Sequence, residues 1–276
     1  MNNLAIKAYD LRQDVLDIIV SGGGGHIGGD MSSMEIMLTL YDRMNVAPDR
    51  AKDPNRDRFV LSKGHCVETL YAVLADKGFL DIGEVKASFS QFGSEYIGHP
   101  HNTLPGIEMN SGSLGHGLSV CVGMALAGKM DGRSYRVYTL MGDGELAEGS
   151  VWEGFMAGGH YKLDNLCAVI DRNGLQISGS TEDVMAHGDL AGRIAAFGWH
   201  VIEVADGNDV CQLAAAFDEA ESVKGRPTAV IAHTVKGKGS PLMENKASWH
   251  HHLPNAEEYE IIKRDFAARK EALRHE

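Results

Sequence analysis

No apolar stretch in this 276-residue sequence approaches the roughly 20 residues of a membrane span, so no membrane-crossing helix is expected. Cysteine is scarce. Cys66, Cys121, Cys167 and Cys211 show no CxxC spacing, and Cys121 and Cys167 sit in apolar stretches, as small core residues of a reducing compartment do. Positive charge is in deficit: the formal net charge of -12 argues against a nucleic-acid binder, whose partner selects basic faces. A phosphorylated ligand remains compatible, because it needs only local donors or a cation. The amino terminus meets charge too early for a signal peptide. Internal repeats, low-complexity tracts and a dividing linker are all absent, so one domain over residues 1–276 is expected, soluble and cytoplasmic. What is present is a core-sized apolar fraction, 43%, with 23% charged residues.

Hydrophobic periodicity predicts helices over 4–20, 32–44, 66–78 and 82–89, with a short strand at 58–62. From residue 115 the alternation is regular. Helices at 118–130, 150–161, 190–197 and 208–223 separate strands at 135–141, 165–170, 199–204 and 228–233. A charged helix over 256–273 closes the chain. Strands separated by helices of this length imply βαβ crossovers, hence an α/β fold: a three-layer αβα sandwich around a mostly parallel, doubly wound sheet.

In such sheets ligands bind outside the carboxyl ends of the strands. Asp143, between Gly142 and Gly144, and Asn173 both fall just past predicted strand ends. A carboxylate and an amide oxygen, with the backbone carbonyl of Leu175, suit a magnesium ion that takes its other oxygens from phosphate and water. Gly142 and Gly144 let the main chain approach the phosphates, and the helix beginning near Ser150 is expected to aim free N–H groups at them. Either turn alone is ordinary punctuation; the pair after consecutive strands is not. His26, His65, His99 and His116 lie in glycine-rich turns, as donors converging on an oxygen-rich ligand would. Zinc is the competing reading, but only His250-His251-His252 clusters, and three adjacent residues do not easily face one ion. A nicotinamide site fails because Gly22 to Gly25 follows a helix and not a strand.

Asp143-Gly144 with Glu148 and then Asp171-x-Asn173 resembles the thiamine diphosphate motif in the form used by transketolases. Over nearly the whole chain, Ser21 to Gly29 resembles that family's SGHPGG segment, Ser62-Lys63-Gly64-His65 its SKGH turn, and Gly98-His99-Pro100 its GHP turn. Pro105 to Glu108 with Ser111 to Gly117 resembles PGVE–TGSLGQG, and Val235 to Gly239 with Trp249-His250 the late loop of the small bacterial forms. The resemblance implies the thiamine diphosphate-binding fold with magnesium at Asp143, Asn173 and Leu175. It implies cofactor contacts from His65, Gly112, Leu114, Gly142, Asp143, Gly144, Glu148, Asn173 and His250. His26, His99 and His250 would meet the sugar substrate, with His65 at the phosphates or reacting centre. Glu148 would lie at the subunit interface and couple protonation between two active sites; its bland alternative is a helix-terminal carboxylate. Two departures, Ile27 for proline and His116 for glutamine, are expected near the substrate end and suggest a charged or branched sugar.

Complete members of that family are more than twice as long and carry a second domain that binds the aminopyrimidine ring and supplies the activating glutamate. The expectation is therefore the amino-terminal subunit of a two-component transketolase, completed as α2β2 by a carboxy-terminal subunit. The pair would move a two-carbon ketol unit from a ketose, phosphorylated or otherwise anionic, to an aldose. The alternative is a non-catalytic homologue that regulates a full-length enzyme.

Overall fold

The structure, a computed structural model, describes residues 2–275. It contains β1 (Arg58–Leu61), β2 (Val137–Gly142), β3 (Leu166–Arg172), β4 (Leu175–Gln176), β5 (Gly179–Ser180), β6 (His200–Val204) and β7 (Thr228–His233). Five of these form a sheet in the order β1-β2-β3-β7-β6, every neighbouring pair parallel. The helices are α1 (Asn2–Gly22), α2 (Ile27–Tyr41), α3 (Val67–Asp76), α4 (Ile82–Ser88), α5 (Gly117–Met130), α6 (Gly149–His160), α7 (Thr181–Met185), α8 (Leu190–Ala196), α9 (Val210–Ser222) and α10 (Ala256–Arg274).

The sheet is covered on both faces, so its central strands are buried and mostly apolar, with Asp171 and Arg172 at the end of β3. Alternation within them divides the core. Tyr138, Leu140, Cys167 and Val169 pack with residues of α1, α2, α3 and α9, among them Ile19, Leu38, Val73 and Phe217. Val137, Met141, Ala168 and Ile170 point the other way, to Leu118 of α5, Phe155 of α6 and Ile194 of α8. The result is the expected αβα sandwich.

Boundaries differ from expectation where glycine is involved. α1 runs through Gly22, and α2 begins at Ile27, five residues before Ser32. Gly28 and Gly29 lie within α2 and serve close approach instead of a turn: a Cβ would fall 2.6 Å from the Trp249 carbonyl oxygen at Gly28 and 2.7 Å from Cys66 Sγ at Gly29. The β4–β5 hairpin and α7 are too short to carry a periodic signal in the sequence. All four cysteines are free, three of them buried. Among the described residues no helix is long and apolar enough to cross a membrane.

Candidate active site

Because the sheet strands are parallel, their carboxyl ends share one edge. β1 leads into Lys63, β2 into Asp143, β3 into Asn173 and β7 into Lys236. Register sets Gly142 beside Asp171, and Asp171 beside Ala232. At this edge opens a cavity of about 440 Å³, lined by Asp143, Asn173, Leu175, Gly142, Gly144, Gly112 and Leu114, together with His26, His65, His99 and His250.

Asp143 is 1% exposed; its Oδ1 accepts from the Gly144 N–H at 2.9 Å and its Oδ2 from the Gly174 N–H at 2.7 Å. Burial, and then the charge of Asp171, push its carboxyl above the usual carboxylate range. Asn173 is oriented on both sides: its Nδ2 donates to Asp171 Oδ2 at 3.1 Å, and its Oδ1 accepts from the Leu175 N–H at 3.1 Å. The Leu175 carbonyl accepts from Lys236 Nζ at 3.0 Å. Three oxygens of different kinds therefore line one wall, held by backbone geometry.

Of the histidines in glycine-rich turns, His26, His65 and His99 are brought together, joined by His250, and His116 is not. The His26 ring centroid lies 5.2 Å from that of His65, 6.2 Å from His99 and 5.6 Å from His250. Burial, then neighbouring positive charge, lowers His26 to about 4 and His250 to about 3. His65 is held well below its ordinary value by burial and then by Lys63, and His99 is lowered by burial. At neutral pH these imidazoles are neutral, each with one donor and one acceptor for hydroxyl-rich ligands. The three adjacent histidines diverge: His250 lines the cavity, His251 meets His26 at 4.7 Å between centroids, and His252 packs on Trp249 and pairs with Glu258. Among the described residues no group of three or more His, Cys, Asp or Glu is arranged to hold a metal ion.

Several functional groups escaped the sequence reading. Lys63 and Lys236 both line the cavity but differ in commitment. Lys63 is ion-paired with Asp171, which also accepts from Ser32, Ser33 and Thr234. Burial opposes the Asp171 carboxylate, but Lys63 and these hydroxyls outweigh it and its pKa falls. Lys236 forms no ion pair among the described residues; it bonds Leu175 O and lies 2.9 Å from His250 Nδ1. Burial lowers it to about 8, with the Lys63 charge adding to the effect. Glu145, also buried, accepts from Ser62, Gly115 and Gly142 and so ties three turns together. A signal existed for both lysines, each lying within two or three residues of a strand end.

Other expectations need correction. Glu148 is exposed and does not line the cavity; it is the N-cap of α6 without a side-chain cap bond, so within this chain it touches no ligand space. A 3₁₀ turn over Gly144–Ala147 separates Asp143 from α6, and the lining stops at Glu145, so the amides at this wall belong to that turn and not to α6. Ile27 is fully buried in the core, and His116 is exposed with Nδ1 2.9 Å from the Leu114 carbonyl oxygen. Neither lines the cavity, because helix α2 turns residue 27 inward and the start of α5 turns residue 116 outward.

Comparison with known proteins places this geometry. The family described as "Transketolase, thiamine diphosphate binding domain" matches residues 3–273. The chain is 48% identical, over 100% of its length and 98% of the relative's, to an apulose-4-phosphate transketolase subunit of Phocaeicola vulgatus. It is 39% identical to a 6-deoxy-6-sulfo-D-fructose transketolase subunit of a Clostridium species, covering 90% of each. A transketolase variant from Pichia stipitis superposes with a TM-score of 0.90 at 31% identity, over 99% of this chain and 44% of that one. The chain thus spans less than half the length of that structure and of human transketolase, of which it covers 38% at 42% identity.

Proposed function

The chain belongs to the family of the transketolase thiamine diphosphate-binding domain, and on that premise we propose that it is the amino-terminal subunit of a two-component transketolase. It acts as one diphosphate-binding domain over residues 1–276, in the cytoplasm, with thiamine diphosphate and magnesium. It is active in an α2β2 assembly with a carboxy-terminal partner subunit. The observation that carries the reading is the wall formed by Asp143, Asn173 and Leu175 O facing Lys236, a buried ammonium without a carboxylate partner among the described residues. Hard oxygens beside an uncompensated cation suit a divalent ion and a diphosphate together. Gly142 fits the same purpose, since a Cβ there would meet nothing within 4 Å and the space beside the backbone is open.

Bound there, thiamine diphosphate supplies an electron sink for cleavage of a ketose carbon–carbon bond. This chain's residues position and protonate. Asp143, Asn173 and Leu175 O hold magnesium; Lys236 and His65 hold the diphosphate; Gly112 and Leu114 offer backbone to the ring. His26, His99 and His250, neutral because burial depresses their pKa values, bind sugar hydroxyls and relay protons to the ketose oxygen. Glu148, exposed at the start of α6, serves through the partner contact. Partner dependence is supported by the relatives named as subunits that this chain matches over 98% and 90% of their length. The name of the 48% identical relative supports a sugar phosphate, apulose 4-phosphate, as substrate.

The test mixes the purified chain with a candidate partner, magnesium and cofactor, and follows ketol transfer from apulose 4-phosphate. Activity is expected only from the mixture, and Asp143→Ala within it loses magnesium-dependent cofactor retention. Turnover by this chain alone, or unchanged cofactor affinity in Asp143→Ala, refutes the assignment.

A further inference from the structure

Behind His26 and His65 lies a pair of acids that lines no part of the cavity. Asp30 stands in the first turn of α2 and Glu68 in the first turn of α3, both with 0% exposure. The caps of these helices are His26 and Cys66, and neither makes a side-chain cap bond. Each acid serves the other helix instead. Asp30 Oδ1 accepts from the Thr69 N–H of α3 at 2.9 Å, and the Thr69 hydroxyl donates to Asp30 O at 3.0 Å. Glu68 reaches the start of α2 by lying over Gly25, the residue before the His26 cap, where a Cβ would fall 2.4 Å from its Oε1. The Asp30 amide completes the link by donating to His26 O at 3.1 Å.

Asp30 accepts from Thr69, the residue next to Glu68, so the two acids are neighbours, and Asp30 Oδ2 and both Glu68 oxygens have no hydrogen-bond partner in any other residue. Two helix N-termini favour one negative charge here. A second has no cation to meet it. Lys63 is committed to Asp171, His26 and His65 are neutral, and the Cys66 thiol is pushed up by burial. Unpaired buried charge is costly enough that the group takes a proton instead. Accordingly burial raises Asp30 to about 7, and burial and then Asp30 hold Glu68 well above the carboxylate range.

We propose that Asp30 and Glu68 share one proton at neutral pH, and that this bond ties the first turn of α2 to that of α3 and holds His26 and His65 in their mutual geometry. They are positioning residues, and the assignment rests on two histidines facing one cavity, whatever cofactor occupies it.

The test compares the full chain with Glu68→Gln, which keeps a donor without a titrating proton, and Glu68→Met, which keeps the volume and removes the bond. Thermal unfolding is followed from pH 5 to 9, and imidazole resonances of histidine-labelled protein at pH 7. The native pair retains a proton that the unfolded chain releases near pH 4, so raising pH destabilises the native protein. Its Tm should fall with pH more steeply than that of Glu68→Gln, by roughly 2–4 °C for each pH unit. Glu68→Met should shift the His26 and His65 resonances, and Glu68→Gln should leave them in place. Parallel Tm curves for the native chain and Glu68→Gln would overturn the shared proton. Unmoved resonances in Glu68→Met would overturn the positioning role. Both readouts use the chain without cofactor or partner, so they stand or fall separately from the ketol-transfer assay.

Discussion

Lys236→Met separates anion recognition from folding. The Lys236 side chain is 2% exposed, its ammonium donates to Leu175 O at 3.0 Å, and it forms no ion pair among the described residues. Methionine keeps the apolar stem, so packing changes little while the charge disappears. A hydrogen bond to a charged group contributes about 1.5–3 kcal/mol, and more in surroundings that exclude water. The expected loss is therefore roughly 10- to 150-fold in Kd for thiamine diphosphate with magnesium, measured by titration calorimetry on the full chain. The pH dependence supplies a second signature. Burial lowers the free ammonium to about 8, whereas a bound diphosphate favours the charged form and raises that pKa. Binding above pH 8 must then take up a proton, and affinity falls about tenfold per pH unit until the pKa of the bound state is reached. Lys236→Met should show neither proton uptake nor this slope. A change in Kd below about threefold, or an unaltered slope, would refute the role.

Two further outcomes follow from the same wall of the cavity. Lys63→Met strands Asp171 as a buried, uncompensated carboxylate, which costs about 3–5 kcal/mol, so it should lower the unfolding midpoint sharply where Lys236→Met does not. Equal midpoints in denaturant titrations of the two variants would show that the lysines are not differently committed. His26 and His250, lowered to about 4 and about 3 by burial first, should titrate below pH 5 in imidazole spectra. Because their folded pKa values are depressed, their neutral forms add stability above pH 6.5 that is lost as pH falls through the folded values. A midpoint near 6.5 for either ring would contradict the buried cluster.

Much of this architecture is local and therefore legible. β2 and β3 are continuous apolar runs ending in Gly142-Asp143 and Asp171-Arg172, so strand ends and candidate ligands can be read together. Period 3.6 locates α5, α6 and α9 to within a few residues. The hairpin at Leu175–Ser180 is hidden because strands of two residues carry no period. The start of α2 is hidden because Gly28-Gly29 signals a turn locally, while in the fold these glycines are helical residues that leave room for Trp249 and Cys66.

Sequence alone determined the parallel αβα class, the placement of Asp143 and Asn173 at strand ends, and the turns that carry His26, His65, His99 and His250. These follow from side-chain periodicity and turn chemistry, which act over a few residues. Tertiary structure decided which groups face one another. Insertion of β7 between β3 and β6 brings Thr234 and Lys236 to the end of β3, where Lys63 already neutralises Asp171 and Lys236 has no carboxylate partner among the described residues. The inward turn of Ile27, the outward turns of His116 and Glu148, and the meeting of Asp30 with Glu68 arise in the same way. Burial and charge depend on neighbours that are distant in the chain, and only packing brings those neighbours together.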